Sequence, residues 1–156
     1  MIKVENIEYG SMNYIKTLDL RNKVMRIPLG LNIYDEDFSF EKNAIIVGAY
    51  EEEEELIGVG TMSYSDKTYK LEYLCVDTDI QSHGAGGKML EWLEKKALEK
   101  NAEKIILDAR VSAQKFYENH GYKTVGGLVV GIAAMFAYNY LVTRVDKEIC
   151  MLPVIM

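Results

Sequence analysis

Val76-Asp-Thr-Asp-Ile-Gln-Ser-His-Gly-Ala-Gly-Gly-Lys-Met-Leu90 carries an apolar strand through a glycine-dense turn and directly into an amphipathic helix. Within it, Gln81-Ser82-His83-Gly84-Ala85-Gly86 strips side chains from the backbone where the helix begins. The first N–H groups of a helix have no intrahelical acceptor, and the helix dipole puts its positive end at the same place. An anionic ligand, above all a pyrophosphate, is the chemistry such a turn accepts. Two familiar phosphate motifs do not fit. A Walker A loop ending in Gly87-Lys88 needs glycine at 82 and a hydroxyl at 89, where Ser82 and Met89 stand. A dinucleotide fingerprint running from Gly84 and Gly86 needs glycine where Met89 stands.

The elements around the turn are legible from periodicity. Lys70-Leu-Glu-Tyr-Leu-Cys-Val-Asp77 alternates as a strand, placing Glu72, Leu74 and Val76 on one face and Leu71, Tyr73 and Cys75 on the other. The following helix spans about 84–100, with Leu90, Leu93 and Ala97 on one stripe, Met89 and Trp92 alongside, and Asn101 as its stop. Lys104-Ile-Ile-Leu-Asp-Ala109 is a short, buried strand. Upstream, a strand near 3–7 precedes a helix over 14–26 introduced by Ser11, with Ile15, Leu18 and Met25 facing inward and Pro28 and Gly30 ending it. Residues 31–43, with Asp35, Glu36 and Asp37, have little periodicity. Ala44–Tyr50 and Leu56–Met62 read as antiparallel strands joined by the solvated acidic turn Glu51–Glu55. The pattern is an α/β fold with a mixed, mostly antiparallel sheet flanked by helices, in a single domain over 1–156.

Gln81-x-x-Gly84-x-Gly86 after a strand resembles the acetyl-CoA pyrophosphate loop of the GNAT superfamily of N-acetyltransferases. The resemblance extends to Leu107-Asp-Ala-Arg-Val-Ser-Ala-Gln-Lys-Phe-Tyr-Glu-Asn-His-Gly-Tyr122, which looks like the family's fifth strand, its helix and the closing Phe-Tyr-x-x-x-Gly-Tyr signature. Leu20-Arg-Asn-Lys-Val-Met-Arg-Ile-Pro-Leu-Gly30 looks like the first helix and loop of a small bacterial branch. About residues 1–126 are covered.

The resemblance implies an acetyl-CoA-dependent N-acetyltransferase acting by direct transfer to an amine, in a small molecule or a peptide. The fourth and fifth strands would splay, and the pantetheine arm would lie against the backbone of Leu74, Cys75 and Val76. The pyrophosphate would rest on Gln81, Ser82, His83, Gly84, Ala85, Gly86, Gly87 and Lys88, and Phe116 would border the cofactor. Tyr117 would serve as the acid for the departing thiolate, a role a phenol can fill. Glu72 is the first candidate for general base and Asp108 the second; related sequences often carry Asn or His at the latter position. His83 counts mainly for its backbone, and His120 reads as a cation near a helix end. Arg110 and Lys115 are candidates to neutralise CoA phosphates. Residues 31–43 would border the acceptor.

Composition narrows the partners. With 18 Lys+Arg against 24 Asp+Glu the net charge is −6, which argues against nucleic acid and mildly favours a cationic acceptor. Cys75 and Cys150 lie far apart without metal-ligand spacing, so reduced thiols and no metal are expected. The first residues, Met-Ile-Lys-Val-Glu-Asn, do not read as a secretory signal, and a cytoplasmic location is the expectation. Residues 124–156 depart from the family. From Thr124 to Thr143 no charged residue occurs, and Gly127 and Gly131 form a Gly-x-x-x-Gly pair. Burial in the domain or in a homodimer interface is favoured over a membrane tail, since the superfamily draws its last strands from here. Two other function classes remain open: a non-catalytic acyl-CoA binding or sensing module, and an interaction protein working through this apolar tail.

Overall fold

The computed structural model describes residues 1–80, 84–109, 111–124 and 146–151. They form a mixed α/β structure whose strands hydrogen-bond in the order β1-β2-β3-β4-β5-β7-β6. Two compact units divide the chain, Met1–Ser63 with Tyr73–Leu93, and Tyr64–Glu72 with Glu94–Met156.

The first unit begins with an antiparallel meander. β1 (Lys3–Asn6) pairs with β2 (Ile45–Tyr50) from Lys3↔Tyr50 to Asn6↔Val47. β2 pairs with β3 (Leu56–Ser65) from Ile45↔Met62, with a register shift at Ala49/Tyr50 just before the acidic turn. That turn closes through Glu52–Glu54, with Glu54 in the left-handed region. β4 (Thr68–Val76) returns after a two-residue turn at Asp66-Lys67, too short for anything but an antiparallel hairpin. Asp77 N–H donates to Ile57 O at 2.8 Å and fastens the far end of that hairpin.

α1 (Met12–Arg21) is capped by Ser11, whose Oγ accepts the Tyr14 N–H at 3.1 Å. Its buried stripe is Tyr14, Thr17, Leu20 and Arg21. Ile15, expected inward, is exposed. The reason is electrostatic: Arg21 is fully buried and must face its partner, the equally buried Glu41, so the helix rotates toward that pair. Arg21 Nη1 and Nη2 donate to Glu41 Oε2 and Oε1 at 2.8 and 3.0 Å, and Tyr14 Oη donates to Glu41 Oε1 at 2.7 Å. The helix also ends earlier than the periodicity suggests. Asn22–Arg26 form a π-helical turn, and Ile27–Leu29 a tighter turn closed by Gly30 at φ 73°. A π turn takes up an extra residue and pairs positions five apart, and Arg26 meets the same Tyr73 ring as Arg21.

On the other face of the meander lies α2 (Ala85–Glu99), whose Met89, Leu90, Leu93 and Ala97 are fully buried. Each such Leu or Met contributes roughly 1.5–3 kcal/mol by leaving water. Close approach depends on bare backbone in β3. A Cβ at Gly58 would stand 2.7 Å from Met89 Cε, and one at Gly60 would stand 2.9 Å from Leu93 Cδ1.

In the second unit the first half of β4 runs parallel to β5 (Lys104–Ala109), from Thr68↔Lys104 to Leu71↔Leu107. The α2–β5 connection turns at Asn101, whose φ of 62° and N–H bond to Leu98 O make it the expected helix stop. α3 (Gln114–Asn119) leads through Gly121 at φ 88° to β6 (Lys123–Thr124). β7 (Asp146–Met151) lies parallel to β5, from Lys104↔Asp146 to Ala109↔Met151, and parallel to β6. This strand forms beyond the uncharged run; the membrane or dimer reading of 125–143 lies outside the described residues. Among the described residues no helix is long and apolar enough to cross a membrane.

Removing one member of the buried pair leaves the other charge stranded. Arg21→Met or Glu41→Leu should each cost about 3–5 kcal/mol, and the double variant less than the sum of the two. Urea unfolding of the three variants checks this.

Candidate functional site

The glycine turn does what the sequence asks of it at its described end. Gly84 has φ +85°, a conformation that side chains resist, and a Cβ there would meet nothing within 4 Å. The first intrahelical bond runs from Lys88 N–H to Gly84 O at 3.0 Å. The N–H groups of Ala85, Gly86 and Gly87 therefore precede the first intrahelical donor, Lys88 N–H, and sit at the positive end of α2. Ala85 is buried, Gly86 and Gly87 half-buried, and Lys88 exposed. Gln81, Ser82 and His83 lie outside the described residues.

The strand that feeds this turn is anchored at its end. Asp77 Oδ1 accepts the Asp79 N–H at 3.0 Å, and Asp77 O accepts the Ile80 N–H at 3.1 Å. Lys23 Nζ bridges Asp77 Oδ1 and Asp79 Oδ2 at 3.0 and 2.6 Å. Hydrogen bonding from the Asp79 N–H, together with Lys23, holds the Asp77 carboxyl below the usual range. Leu74 and Val76 are half-buried on the α2 face, Leu74 reaching the space above Gly60. Cys75 is buried on the α1 face and unbonded to another cysteine, as expected. Burial pushes its thiol up to about 12.

The second unit holds the other candidates. Glu72 is half-buried, one residue past the last β4–β5 pair, Leu71↔Leu107. β4 continues for five residues beyond that pair, to Val76, without further registered pairing to β5 among the described residues. Asp108 is exposed and forms an ion pair with Lys70, Oδ2 to Nζ at 3.1 Å. Lys70 thus occupies the Asp108 carboxylate. Tyr117 is buried on α3, its ring edge-on to Phe116 at 5.0 Å and to Tyr122 at 5.7 Å. Burial alone raises its phenol to about 12. No hydrogen bond of its hydroxyl is found among the described residues, so its proton is uncommitted there. Phe116 is half-buried and packs on His120 at 4.6 Å. His120 caps α3 and its Nδ1 lies 2.7 Å from Phe116 O, as a helix-end residue should.

The sequence reading missed a polar cluster beside β4. Arg21 and Arg26 flank the Tyr73 ring at 5.1 and 6.0 Å, and Phe38 meets the same ring edge-on at 5.9 Å. Arg26 forks onto Glu36, Nε to Oε2 at 2.6 Å and Nη2 to Oε1 at 3.0 Å, and Nη2 also reaches Tyr73 Oη at 3.4 Å. A cavity of about 430 Å³ opens here, lined by Arg26, Gly30, Leu31, Asn32, Asp35 and Glu36. The available signal was Leu20-Arg-Asn-Lys-Val-Met-Arg26, three cations in seven residues at the end of a helix with an apolar stripe. Among the described residues no cluster of three or more His, Cys, Asp or Glu is arranged to hold a metal ion.

An acetyltransferase (GNAT) domain model matches residues 34–131. The chain belongs to the GNAT family. It is 38% identical over 72 residues to an uncharacterised N-acetyltransferase, YjcF, of Bacillus subtilis (strain 168), a match spanning 46% of this chain. The chain spans about half of that relative, 51% of its length. A crystal structure assigned as an N-acetyltransferase from Lactobacillus plantarum aligns with TM-score 0.71 at 19% identity, covering 84% of this chain and 90% of that one. A GNAT acetyltransferase from Staphylococcus aureus Mu50 aligns with TM-score 0.63 at 20% identity, covering 76% and 84%. These likenesses confirm the GNAT fold: a mixed sheet flanked by helices.

Burial of two acidic hydrogens gives this GNAT domain a defined alkaline response. Cys75 and Tyr117 release their protons near 8.5 and 10 in the unfolded chain but near 12 when folded. The unfolded state then binds fewer protons, so stability falls as pH rises from about 9 to about 12 and is fully retained below that window. Cys75→Ala should flatten the lower part of the decline in urea midpoints measured across this range.

Proposed function

We propose that the protein transfers the acetyl group of acetyl-CoA directly to a primary amine, as a single domain over 1–156. The observation that carries the reading is the end of the β4–β5 ladder at Leu71↔Leu107, followed on β4 by Leu74–Val76 and then by the N-terminus of α2, which opens at Ala85. Extended backbone of 74–76 is free to hydrogen-bond a pantetheine arm as a neighbouring strand would. The N–H groups of Ala85, Gly86 and Gly87, with the turn that precedes them, take the pyrophosphate. These donors are fixed before the ligand arrives, so little reorganisation is needed on binding.

Transfer requires a neutral amine, a polarised thioester carbonyl and a stabilised leaving thiolate. Glu72 is the base in this reading, acting on the acceptor ammonium directly or through water. The backbone N–H near Val76 is the oxyanion donor. Tyr117 takes the acid's position in this reading, its hydroxyl, which burial keeps protonated throughout the physiological range, donating a hydrogen bond to the departing thiolate. A non-catalytic acyl-CoA sensor would use the same turn but would leave Glu72 and Tyr117 without work.

Acetyl-CoA at 100 times its dissociation constant should stabilise the protein by roughly 2.7 kcal/mol, visible as a rise in Tm. Absence of any rise would remove the cofactor from the proposal. Tyr117→Phe should lower turnover at least tenfold with acetyl-CoA affinity preserved. Because the phenol holds its proton to about 12, the wild-type rate should show no alkaline loss from this group below about pH 10. An unchanged rate in the variant would exclude Tyr117 as the acid.

A further inference from the structure

The cavity beside β4 has a chemistry that selects among amines. Its polar wall starts with Arg26, but that guanidinium is already forked onto Glu36 by two hydrogen bonds of 2.6 and 3.0 Å. Hydrogen bonding from Arg26 holds the Glu36 carboxyl below its ordinary value, so this pair is a fixed, self-neutralised wall. Asn32 Oδ1 is engaged by the Tyr34 N–H at 3.0 Å. Asp35 donates its backbone N–H to Asn32 O at 3.1 Å, yet its carboxylate has no ion-pair partner among the described residues. Asp35 thus brings to the cavity lining a carboxylate with no ion-pair partner among the described residues. Beside it Leu31, which also lines the cavity and is 55% exposed, gives it an apolar floor.

The cavity is also close to the reacting strand. Arg26 lines it and touches Tyr73 Oη at 3.4 Å, and Tyr73 adjoins Leu74 on β4. Its volume of about 430 Å³ falls in the range of small-molecule sites.

We propose that this cavity binds the far end of an aliphatic diamine or polyamine acceptor, with Asp35 holding the non-reacting ammonium and Leu31 the methylene stem. The inference rests on the acetyl-transfer reading above. An acceptor bearing a carboxylate is disfavoured here, because the Arg26 fork is spent on Glu36 while Asp35 repels the newcomer. A plain alkylamine fills the apolar floor but leaves Asp35 unanswered. In the reaction the free amine nitrogen attacks the thioester carbon. The C–N bond forms, the C–S bond breaks with its electron pair on sulfur, the nitrogen loses one proton and the thiolate gains one. The remote ammonium takes no part except to fix the acceptor.

Three amines of one chain length separate the alternatives: pentane-1,5-diamine, pentylamine and 5-aminopentanoate, each assayed for CoA release with acetyl-CoA. The diamine should exceed the monoamine in kcat/KM by at least tenfold, after a twofold statistical correction for its two ends, and the amino acid should be the poorest. Asp35→Asn should bring the diamine-to-monoamine ratio within twofold. Equal rates for the three, or a ratio unchanged in Asp35→Asn, would overturn the inference. So would a Tm rise with acetyl-CoA accompanied by no turnover of any of the three amines. A protein that shows no Tm rise with acetyl-CoA would instead overturn the cofactor reading beneath it.

Discussion

A charge pair sealed from water, Arg21 with Glu41, is the constraint around which the first unit is arranged. Burying either ion alone would cost far more than a single domain's stability allows. The pair survives because nearly every polar atom is answered. Arg21 Nε and Nη2 also reach Thr17 O and Oγ1 at 3.4 and 3.2 Å, and Tyr14 Oη supplies Glu41 with a further donor. Tyr73 and Phe38 cover the guanidinium at 5.1 and 5.2 Å, adding attraction between cation and ring in a place water cannot compete. Such a network has one good geometry. It fixes the rotation of α1, the position of the turn Ser39–Asn43 that carries Glu41, and the side chain that β4 presents at Tyr73.

From this follows a division of labour on β4. Its α1 face, Tyr73 and Cys75, is tied to the buried network and the adjacent core, while its α2 face carries Leu74 over the bare backbone of Gly60. Side chains hold the strand from both sides, leaving its main chain for the cofactor contact proposed above. The same economy operates at its end, where Asp77 spends its carboxylate on the Asp79 N–H and on Lys23. These contacts direct the chain toward the glycine turn through local bonds, and only then does α2 begin.

Much of this was legible in the residues. Period-two alternation gave β4 and its faces, the apolar run gave β5, and Leu90, Leu93 and Ala97 gave the buried stripe of α2. At Gly84 the turn was legible because a positive φ is a local demand that glycine answers openly in sequence. Ile15 misled because apolar periodicity assumes that hydrophobic burial sets a helix's rotation. In α1 the buried charge outranks it, and Arg21 is indistinguishable in sequence from a surface arginine until Glu41 is found twenty residues away. For the same reason residues 31–43 read only as an aperiodic border of the acceptor site, although they supply Glu41 and Glu36. The Asp108 ion pair with Lys70 was likewise hidden, since it depends on the β4–β5 register rather than on either strand alone.

The acidity of Tyr117 limits what it can do in acetyl transfer. A phenol near 12 is a poorer acid than an alkyl thiol near 8.5 by more than three powers of ten. Complete proton transfer from Tyr117 to a free thiolate would thus run uphill by about 5 kcal/mol. A hydrogen bond from the hydroxyl to sulfur meets no such cost, and it is strongest while negative charge is building as the C–S bond breaks. The attacking amine must itself shed a proton in the same event, and an amide-forming nitrogen in the tetrahedral intermediate is a much stronger acid than the phenol. The net proton on the product thiol is then most economically drawn from the amine, with Tyr117 holding the sulfur's charge in the interval. On this account burial is an advantage: a phenol pushed to about 12 keeps its proton available as a donor and excludes the water that would otherwise weaken that bond.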